Sequence, residues 1–327
     1  MIRGFIDFDT LDRNQNFDRL DLRDISLPGL QLQHDGTRVA AFANGAQLML
    51  LQGEPRFRDA ALGRRVAQDG WTAAIAQLCE SPDAFIAGLE GRFALLWIDL
   101  AKGHLGLASD RFNTYGFCYA SEGRRLSFAD KANEVPALRR EIDRQGVFDY
   151  LYFHAIPAPG TIFKDIFRLE PGARLSANKE RTQLVAWWQP RFDEPASADF
   201  ASSAATFKTL IKSAVERELD GASVGAFLSG GTDSSTVVGM LAKSGNPVTA
   251  YSIGFEAEGY DEMEYARIAA KAFGADHHEY YVTPDDLVGS IAKVAAHYDQ
   301  PFGNSSAVPA FYCARKAHDD GYTRILA

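Results

Sequence analysis

From Ser223 onward, apolar runs of strand length alternate with amphipathic runs of helix length, and no other feature of the chain narrows its fold as much. SVGAFL (Ser223 to Leu228), VTAYSIGF (Val248 to Phe255) and HHEYYV (His277 to Val282) read as buried strands. Three sets of residues each fall on one helical face: Val237, Val238 and Leu241; Tyr265, Ile268, Ala269, Ala272 and Phe273; and Leu287, Ile291, Val294, Ala295 and Tyr298. Ser244 to Pro247 stops the first helix, Gly274 ends the second, and Thr283-Pro284 gives the third an N-cap and a first-turn proline. A β-α-β-α-β-α series of this kind predicts a parallel, doubly wound sheet with its ligand crevice at the strand carboxyl ends.

The junction between the first strand and the first helix carries the chemistry. Ser229-Gly230-Gly231-Thr232-Asp233-Ser234-Ser235 leaves the strand and opens the helix. Amides at a helix N-terminus, with the positive end of its dipole, bind an anion without a cationic side chain. Glycines at 230 and 231 permit close backbone approach, and the hydroxyls of Ser229, Ser234 and Ser235 add donors. Asp233 repels a phosphate unless a divalent cation stands between them, so its presence predicts Mg²⁺. GxxxxGK[ST] is excluded for want of the lysine, and GxGxxG by spacing.

The first part of the chain reads differently. RFALLWIDL (Arg92 to Leu100), HLGLAS (His104 to Ser109), GFCYA (Gly116 to Ala120) and RLSFA (Arg125 to Ala129) are strand-like runs parted by turn signals. Helical stretches at Ala60 to Cys79 and Asp83 to Leu89 make the region α+β, and a further helix is predicted from Asp143 to Phe153. Residues 189 to 199, polar with two prolines, form the predicted boundary between domains 1–188 and 200–327.

SGGTDSS in this setting resembles the pyrophosphate-binding loop of PP-loop ATP pyrophosphatases. EGRFALLWIDLAKGHLGLASDRFNTYGFCYASEGRRLSFADK, IPAPGTIFKDIFRLEPGARL, VTAYSIGFEAEGYDEMEYARIAAKAFGADHHE and YDQPFGNSSAVPAFY resemble, in order, segments of the asparagine synthetase superfamily from its amino-terminal domain to its synthetase domain. The resemblance runs from about residue 86 onward and is weak before that. It implies an α/β chain: an amino-terminal α+β Ntn-hydrolase-like (αββα) domain of the class II glutamine amidotransferase type, then a doubly wound PP-loop synthetase domain. It also implies that main-chain groups near Leu228 and Ile253 hold the adenine of ATP, that Ser229 to Ser235 hold the phosphates, and that Asp233 ligates Mg²⁺.

Two departures qualify the resemblance. Glutamine-using members begin Met-Cys, the thiol being the glutaminase nucleophile, whereas this chain begins Met1-Ile2-Arg3-Gly4-Phe5. Where the family has an asparagine-glycine-glutamate run, LQGEPRF (Leu51 to Phe57) stands here. The amino-terminal domain is therefore expected to be degenerate as a glutaminase, as in β-lactam synthetases and lasso-peptide cyclases. In the family, a strand like TRILA is followed by an acidic loop with a second Mg²⁺ ligand; this sequence stops at Ala327, so a fragment of a longer protein is expected, with the general base beyond Ala327.

The expected reaction is ATP-dependent, pyrophosphate-releasing amide formation by way of an acyl-adenylate, with a small-molecule or peptide carboxylate as substrate. Ring closure within one substrate is the leading form, ammonia-dependent asparagine synthesis the second, and a non-catalytic adenine-nucleotide-binding scaffold the third. Lys plus Arg number 34 against 43 for Asp plus Glu, a net charge of −9 with no basic block, so nucleic acid is not expected as a partner. Cys79, Cys118 and Cys313 are far apart and form no CxxC pair; they read as reduced thiols of a cytoplasmic protein. No signal peptide or run of about 18 apolar residues points to a membrane. The sequence gives no oligomeric state; a homodimer is one assembly it allows.

Other residues have structural readings. His277 and His278, adjacent on a strand, point to opposite faces and read as structural histidines. Asp261-Glu262 read first as helix-start residues and second as site acids. Asp299, Ser305 and Ser306 either face the crevice or cap the next helix. Asp110-Arg111 reads as a buried ion pair bracing a turn, and Trp187-Trp188 as packing at the domain junction.

Overall fold

Alternation of side chains with period two builds the first half of the protein. In β1 (Ile2–Asp7) Ile2, Gly4 and Ile6 are buried while the residues between them are partly exposed. β2 (Asp24–Leu27) and β3 (Leu30–His34) continue this pattern, and they precede β4 (Val39–Asn44) and β5 (Gln47–Phe57). Three helices follow, α1 (Ala60–Asp69), α2 (Thr72–Glu80) and α3 (Pro82–Ala87). The strands resume as β6 (Leu89–Asp99), β7 (His104–Ser109), β8 (Cys118–Glu122) and β9 (Arg125–Ala129). After α4 (Arg144–Phe153) come β10 (Phe167–Arg168), β11 (Ala173–Ala177) and β12 (Thr182–Ala186).

This is a computed structural model that describes residues 1–137, 139–194, 199–219, 223–245, 247–255 and 263–327. The chain divides into two units: residues 1–191 with 299–303, and residues 192–298 with 304–327.

In the first unit two six-stranded antiparallel sheets, ordered β10-β8-β9-β1-β3-β2 and β12-β11-β7-β6-β5-β4, lie face to face. Ile2, Ile6, Leu30, Leu32 and Phe128 of one meet Leu50, Leu96, Ile98, Leu107 and Leu175 of the other in a shared core. The opposite face of the second sheet presents Phe93, Leu95 and Trp97 to Leu62, Ile75, Leu78 and Phe85 of the helices. β6 is thus buried on both faces, which is why RFALLWIDL is apolar throughout rather than alternating. On the far side of the first sheet, Cys118, Ala120 and Ala129 pack with Ala132 and Val135 around a short 3₁₀ turn, Ala132–Glu134.

The expected strands at 92–129 are β6 to β9. The single helical stretch expected at Ala60 to Cys79 is two helices, because Gly70 takes a positive φ of 75° and turns the chain. β1 to β5 and the hairpin β11–β12 had no individual sequence assignment.

The second unit begins with α5 (Phe200–Glu218), capped by Asp199, whose carboxylate accepts from the Ser202 amide at 2.8 Å. β13 (Val224–Phe227), α6 (Thr232–Lys243), β14 (Thr249–Phe255), α7 (Met263–Phe273), β15 (Asp276–Val282), α8 (Pro284–His297), α9 (Ala307–Asp319) and β16 (Arg324–Leu326) follow. Thr283 and Asp286 close a capping box at α8, with Pro284 in its first turn.

The sheet is parallel, in the order β15-β14-β13-β16. Val238 and Leu241 of α6 pack with Met263, Ala266 and Ala270 of α7 in one core, while Cys313 and Ala317 of α9 pack with Tyr251 in another. The sheet is doubly wound. Its strand order moves outward from β13 through β14 to β15 and then reverses, bringing β16 to the other side of β13. That reversal makes the carboxyl end of β13 the switch point of the fold.

Candidate functional site

At the switch point, Leu228 to Gly231 carry the chain from the end of β13 into α6. Leu228 is buried; its amide donates to the Tyr251 carbonyl at 2.9 Å and its carbonyl accepts from Ser252 Oγ at 2.5 Å. Ser252 Oγ also lies 2.6 Å from His277 Nε2, so one hydroxyl ties the end of β13 to the middle of β14 and the start of β15. Burial holds the His277 imidazole below its usual pKa. No sequence signal at Ser252 singled it out; its role depends on the register that sets Ala250 opposite His277.

The two glycines do different work. Gly230 has φ of 81°, and a Cβ on it would sit 2.5 Å from the Ala266 amide nitrogen and 2.6 Å from Tyr265, so the turn is seated against α7. Gly231 is extended, and a Cβ there would meet only Ser229 Oγ, at 3.3 Å. Its open side faces out of the loop.

Serines brace the turn from inside. Ser229 and Ser234 share a hydroxyl–hydroxyl bond of 2.9 Å, the Ser229 amide donates to Ser234 Oγ at 3.1 Å, and the Gly231 amide donates to Ser229 Oγ at 3.3 Å. The Ser235 amide makes the first helical bond, to the Gly231 carbonyl at 3.1 Å. No side chain caps α6, and the amides of Thr232, Asp233 and Ser234 have no partner among the described residues. Asp233 is exposed, and its carboxylate has no partner among the described residues.

Ile253 lies two residues beyond Tyr251 on β14. In a parallel ladder, main-chain groups of alternate residues turn to the same side. Since Tyr251 accepts from Leu228, the Ile253 amide and carbonyl turn the same way, toward space that β13 has vacated by ending at Phe227. The residues expected at the site, Leu228 to Ser235 and Ile253, therefore lie at the carboxyl end of β13, at the start of α6 and beside them on β14. Among the described residues no three His, Cys, Asp or Glu side chains gather as a metal cage.

Other candidates are committed elsewhere. Asp110 and Arg111 do not pair with one another. The Asp110 carboxylate accepts from the amides of Phe93 (3.1 Å), Phe112 (2.8 Å) and Thr114 (3.2 Å), whereas the Arg111 guanidinium lies 6.0 and 5.9 Å from the Trp187 and Trp188 rings. Adjacent residues of a tight turn diverge, and the orphan amides claim the carboxylate first. Trp187 stacks near Phe93 and Trp188 near Phe112, all within the first unit.

Asp299 accepts from Arg168 Nη2 through both oxygens at 2.8 Å, again within the first unit. Ser305 and Ser306 are exposed before α9, and Ser306, at the N-cap position, makes no side-chain cap. His277 and His278 do diverge: His278 bonds Asp276 at 3.2 Å and Asp320 at 3.0 Å. Asp261 and Glu262 lie outside the described residues. Burial pushes all three thiols, Cys79, Cys118 and Cys313, up to about 12, which removes them as nucleophiles at neutral pH. No described helix is long and apolar enough to cross a membrane.

A two-sheet sandwich of Ntn type followed by a doubly wound parallel sheet, with a glycine loop at its switch point, is the layout of glutamine-amidotransferase-type synthetases. Residues 206–327 match the asparagine synthase family and residues 61–188 the glutamine amidotransferase domain. A Methanocaldococcus jannaschii protein, provisionally named asparagine synthetase (glutamine-hydrolyzing) 2, is 31% identical over 242 residues, covering 69% of this chain and 46% of that one. Asparagine synthetase (glutamine-hydrolyzing) 1 of Bacillus subtilis is 24% identical over 232 residues, covering 70% and 37%. Amidase chyE of Penicillium rubens is 26% identical over 349 residues, covering 99% of this chain and 51% of its own. The chain belongs to the asparagine synthetase superfamily, and it spans less than half the length of the two synthetases.

Proposed function

We propose that this chain is part of an ATP-dependent synthetase that joins a carboxylate to an amine. The observation that carries the proposal is the loop at the switch point, where three amides and the Asp233 carboxylate have no partner among the described residues and a Cβ on Gly231 would meet only Ser229 Oγ. The amides of Thr232, Asp233 and Ser234 would hold the pyrophosphate portion of ATP, and the main-chain groups of Ile253 and Leu228 would take the adenine. The Leu228 carbonyl retains one lone pair for this. Asp233 would hold Mg²⁺, which, when bound, offsets the charge of the departing pyrophosphate.

In the first step a substrate carboxylate oxygen bonds to the α-phosphorus of ATP and the bond to pyrophosphate breaks. An amine then attacks the acyl carbon, AMP leaves, and the amine gives up a proton. Residues 200–327 serve the nucleotide in this reading, and residues 1–188, joined through 189–199, serve as a domain that has given up glutamine hydrolysis. Its first strand carries the buried Ile2, and none of the three thiols is activated.

With none of the three thiols of this chain activated, an amine belonging to the substrate itself favours closure of a ring. The names of the M. jannaschii and B. subtilis relatives favour a second reading, asparagine synthesis; those relatives are named as glutamine-hydrolyzing, and this chain would instead use free ammonia. ATP–pyrophosphate exchange tests both, run with aspartate and with a panel of amino-acid and peptide carboxylates. Exchange that depends on one carboxylate and falls about 100-fold or more in Asp233→Asn supports the synthetase, and the carboxylate decides between the readings. ATP binding without exchange for any carboxylate would leave a nucleotide-binding scaffold.

A further inference from the structure

The first unit holds a second concave site, remote in sequence from the glycine loop and lined only by its own residues. Where the hairpins β8–β9 and β11–β12 turn back, one from each sheet, a cavity of about 220 Å³ opens over Phe8. Arg124, Arg125, Lys179 and Arg181 line it, against Glu180 as the one acidic residue of the lining. In a chain of net charge −9, this is a concentrated excess of positive charge. Like charges gathered in one concavity repel, a cost that a bound anion relieves.

The rest of the unit sharpens the point. Arg58, Arg168 and Arg174 each have a carboxylate partner, Glu90, Asp299 and Asp83. Arg124 and Arg181 have none among the described residues. The other two cations are anchored, with the Arg125 guanidinium 3.6 Å from the centre of the Phe5 ring and Lys179 Nζ 3.0 Å from Asp9.

Both turns are fixed before any ligand arrives. Asn178 Oδ1 accepts from the amides of Glu180 (3.0 Å) and Arg181 (2.9 Å), and the Arg124 carbonyl accepts from the Phe8 amide at 3.1 Å. Two unpaired guanidinium forks on rigid turns suit phosphate oxygens, which they bind two at a time.

We propose that this cavity binds a compact anion with adjacent phosphate groups, the diphosphate unit of free pyrophosphate or of a nucleoside di- or triphosphate. The concavity, of about 220 Å³ and open to solvent, has room for such a unit. The proposal does not depend on the reading of the glycine loop.

Calorimetric titration of the full chain in EDTA at low salt separates the two sites, because without a divalent cation Asp233 repels a phosphate from the loop. Inorganic pyrophosphate is expected to bind saturably, with affinity falling as salt rises, and to bind equally to Gly231→Asp, in which the loop is blocked. The Arg124→Ala/Arg181→Ala variant, with an unchanged melting curve, is expected to bind at least about tenfold more weakly. Arg124→Lys, which keeps the charge but not the fork, is expected to fall between them. ATP as tight as pyrophosphate identifies a nucleotide with its base outside the cavity; ATP much weaker identifies free pyrophosphate. No saturable binding by the wild type, equal binding by the double variant, or citrate binding as tightly as pyrophosphate would overturn the proposal.

Discussion

A set of charged groups in the first unit and the glycine loop of the second treat their neighbours in opposite ways. In the first, Asp110 answers three amides, Arg174 pairs with Asp83, and Arg168 pairs with Asp299. In the second, the head of α6 is left open: the amides of Thr232, Asp233 and Ser234 and the Asp233 carboxylate have no partner among the described residues. Helix ends are usually capped at a gain of about 1 kcal/mol, so an uncapped α6 forgoes stability where a ligand could supply the missing bonds. The difference teaches where to look for chemistry. Satisfied polar groups hold a fold, and unsatisfied ones at a strand's carboxyl end await a substrate.

The comparison breaks most sharply at Asp110. Replacing it with Ala strands buried amides and is expected to destabilise the first unit by about 3 kcal/mol. All four tryptophans, Trp71, Trp97, Trp187 and Trp188, lie in the first unit, so tryptophan fluorescence in urea reads that unit alone. An unchanged midpoint would mean that the turn does not rest on this carboxylate, and nucleotide binding should survive the substitution.

Next comes the pair of glycines. Gly230→Ala forces a Cβ into the backbone of α7 at a positive φ and is expected to cost the second unit about 2 kcal/mol, read by circular dichroism. Gly231→Ala, with open space around it, is expected to leave stability within about 0.5 kcal/mol while weakening ATP binding, since the methyl group fills the cradle. Equal effects on stability would erase the distinction between a structural and a ligand-facing glycine.

The smallest effect is that of pH. Burial lowers the pKa of His34 and His104 in the first unit and of His277 in the second. Each is neutral when folded at a pH where its unfolded form takes up a proton. Their contribution is complete above the usual 6.5 and is lost as pH falls below it. Urea midpoints by tryptophan fluorescence are expected to drop between about pH 7.5 and about pH 5.5, less so in His104→Gln. A drop unaffected by that substitution would move the titration to other groups.

Local signals proved legible wherever the physics is local. The period of the apolar residues located β6 to β9 and every strand and helix from β13 to α8, and Asp143 and Thr283-Pro284 cap α4 and α8 as their side chains dictate. The glycine loop was legible for the same reason: strand, turn and helix start are consecutive. β1 to β5 escaped individual assignment because β4 and β5 mix buried and half-buried positions that only their neighbours explain. Gly70 divided a helix whose apolar period runs on past it.

By itself, then, the sequence determined a parallel α/β unit with a phosphate-type loop, because dihedral preferences and hydrophobic period act over a few residues. Only the tertiary structure decided which polar groups find partners. Asp110 turns to three amides and not to Arg111, Asp299 joins Arg168, Ser252 bridges Leu228 and His277, and Asp233 stays alone. Those outcomes depend on groups far apart in the chain, brought within hydrogen-bond range only when sheets pair and pack.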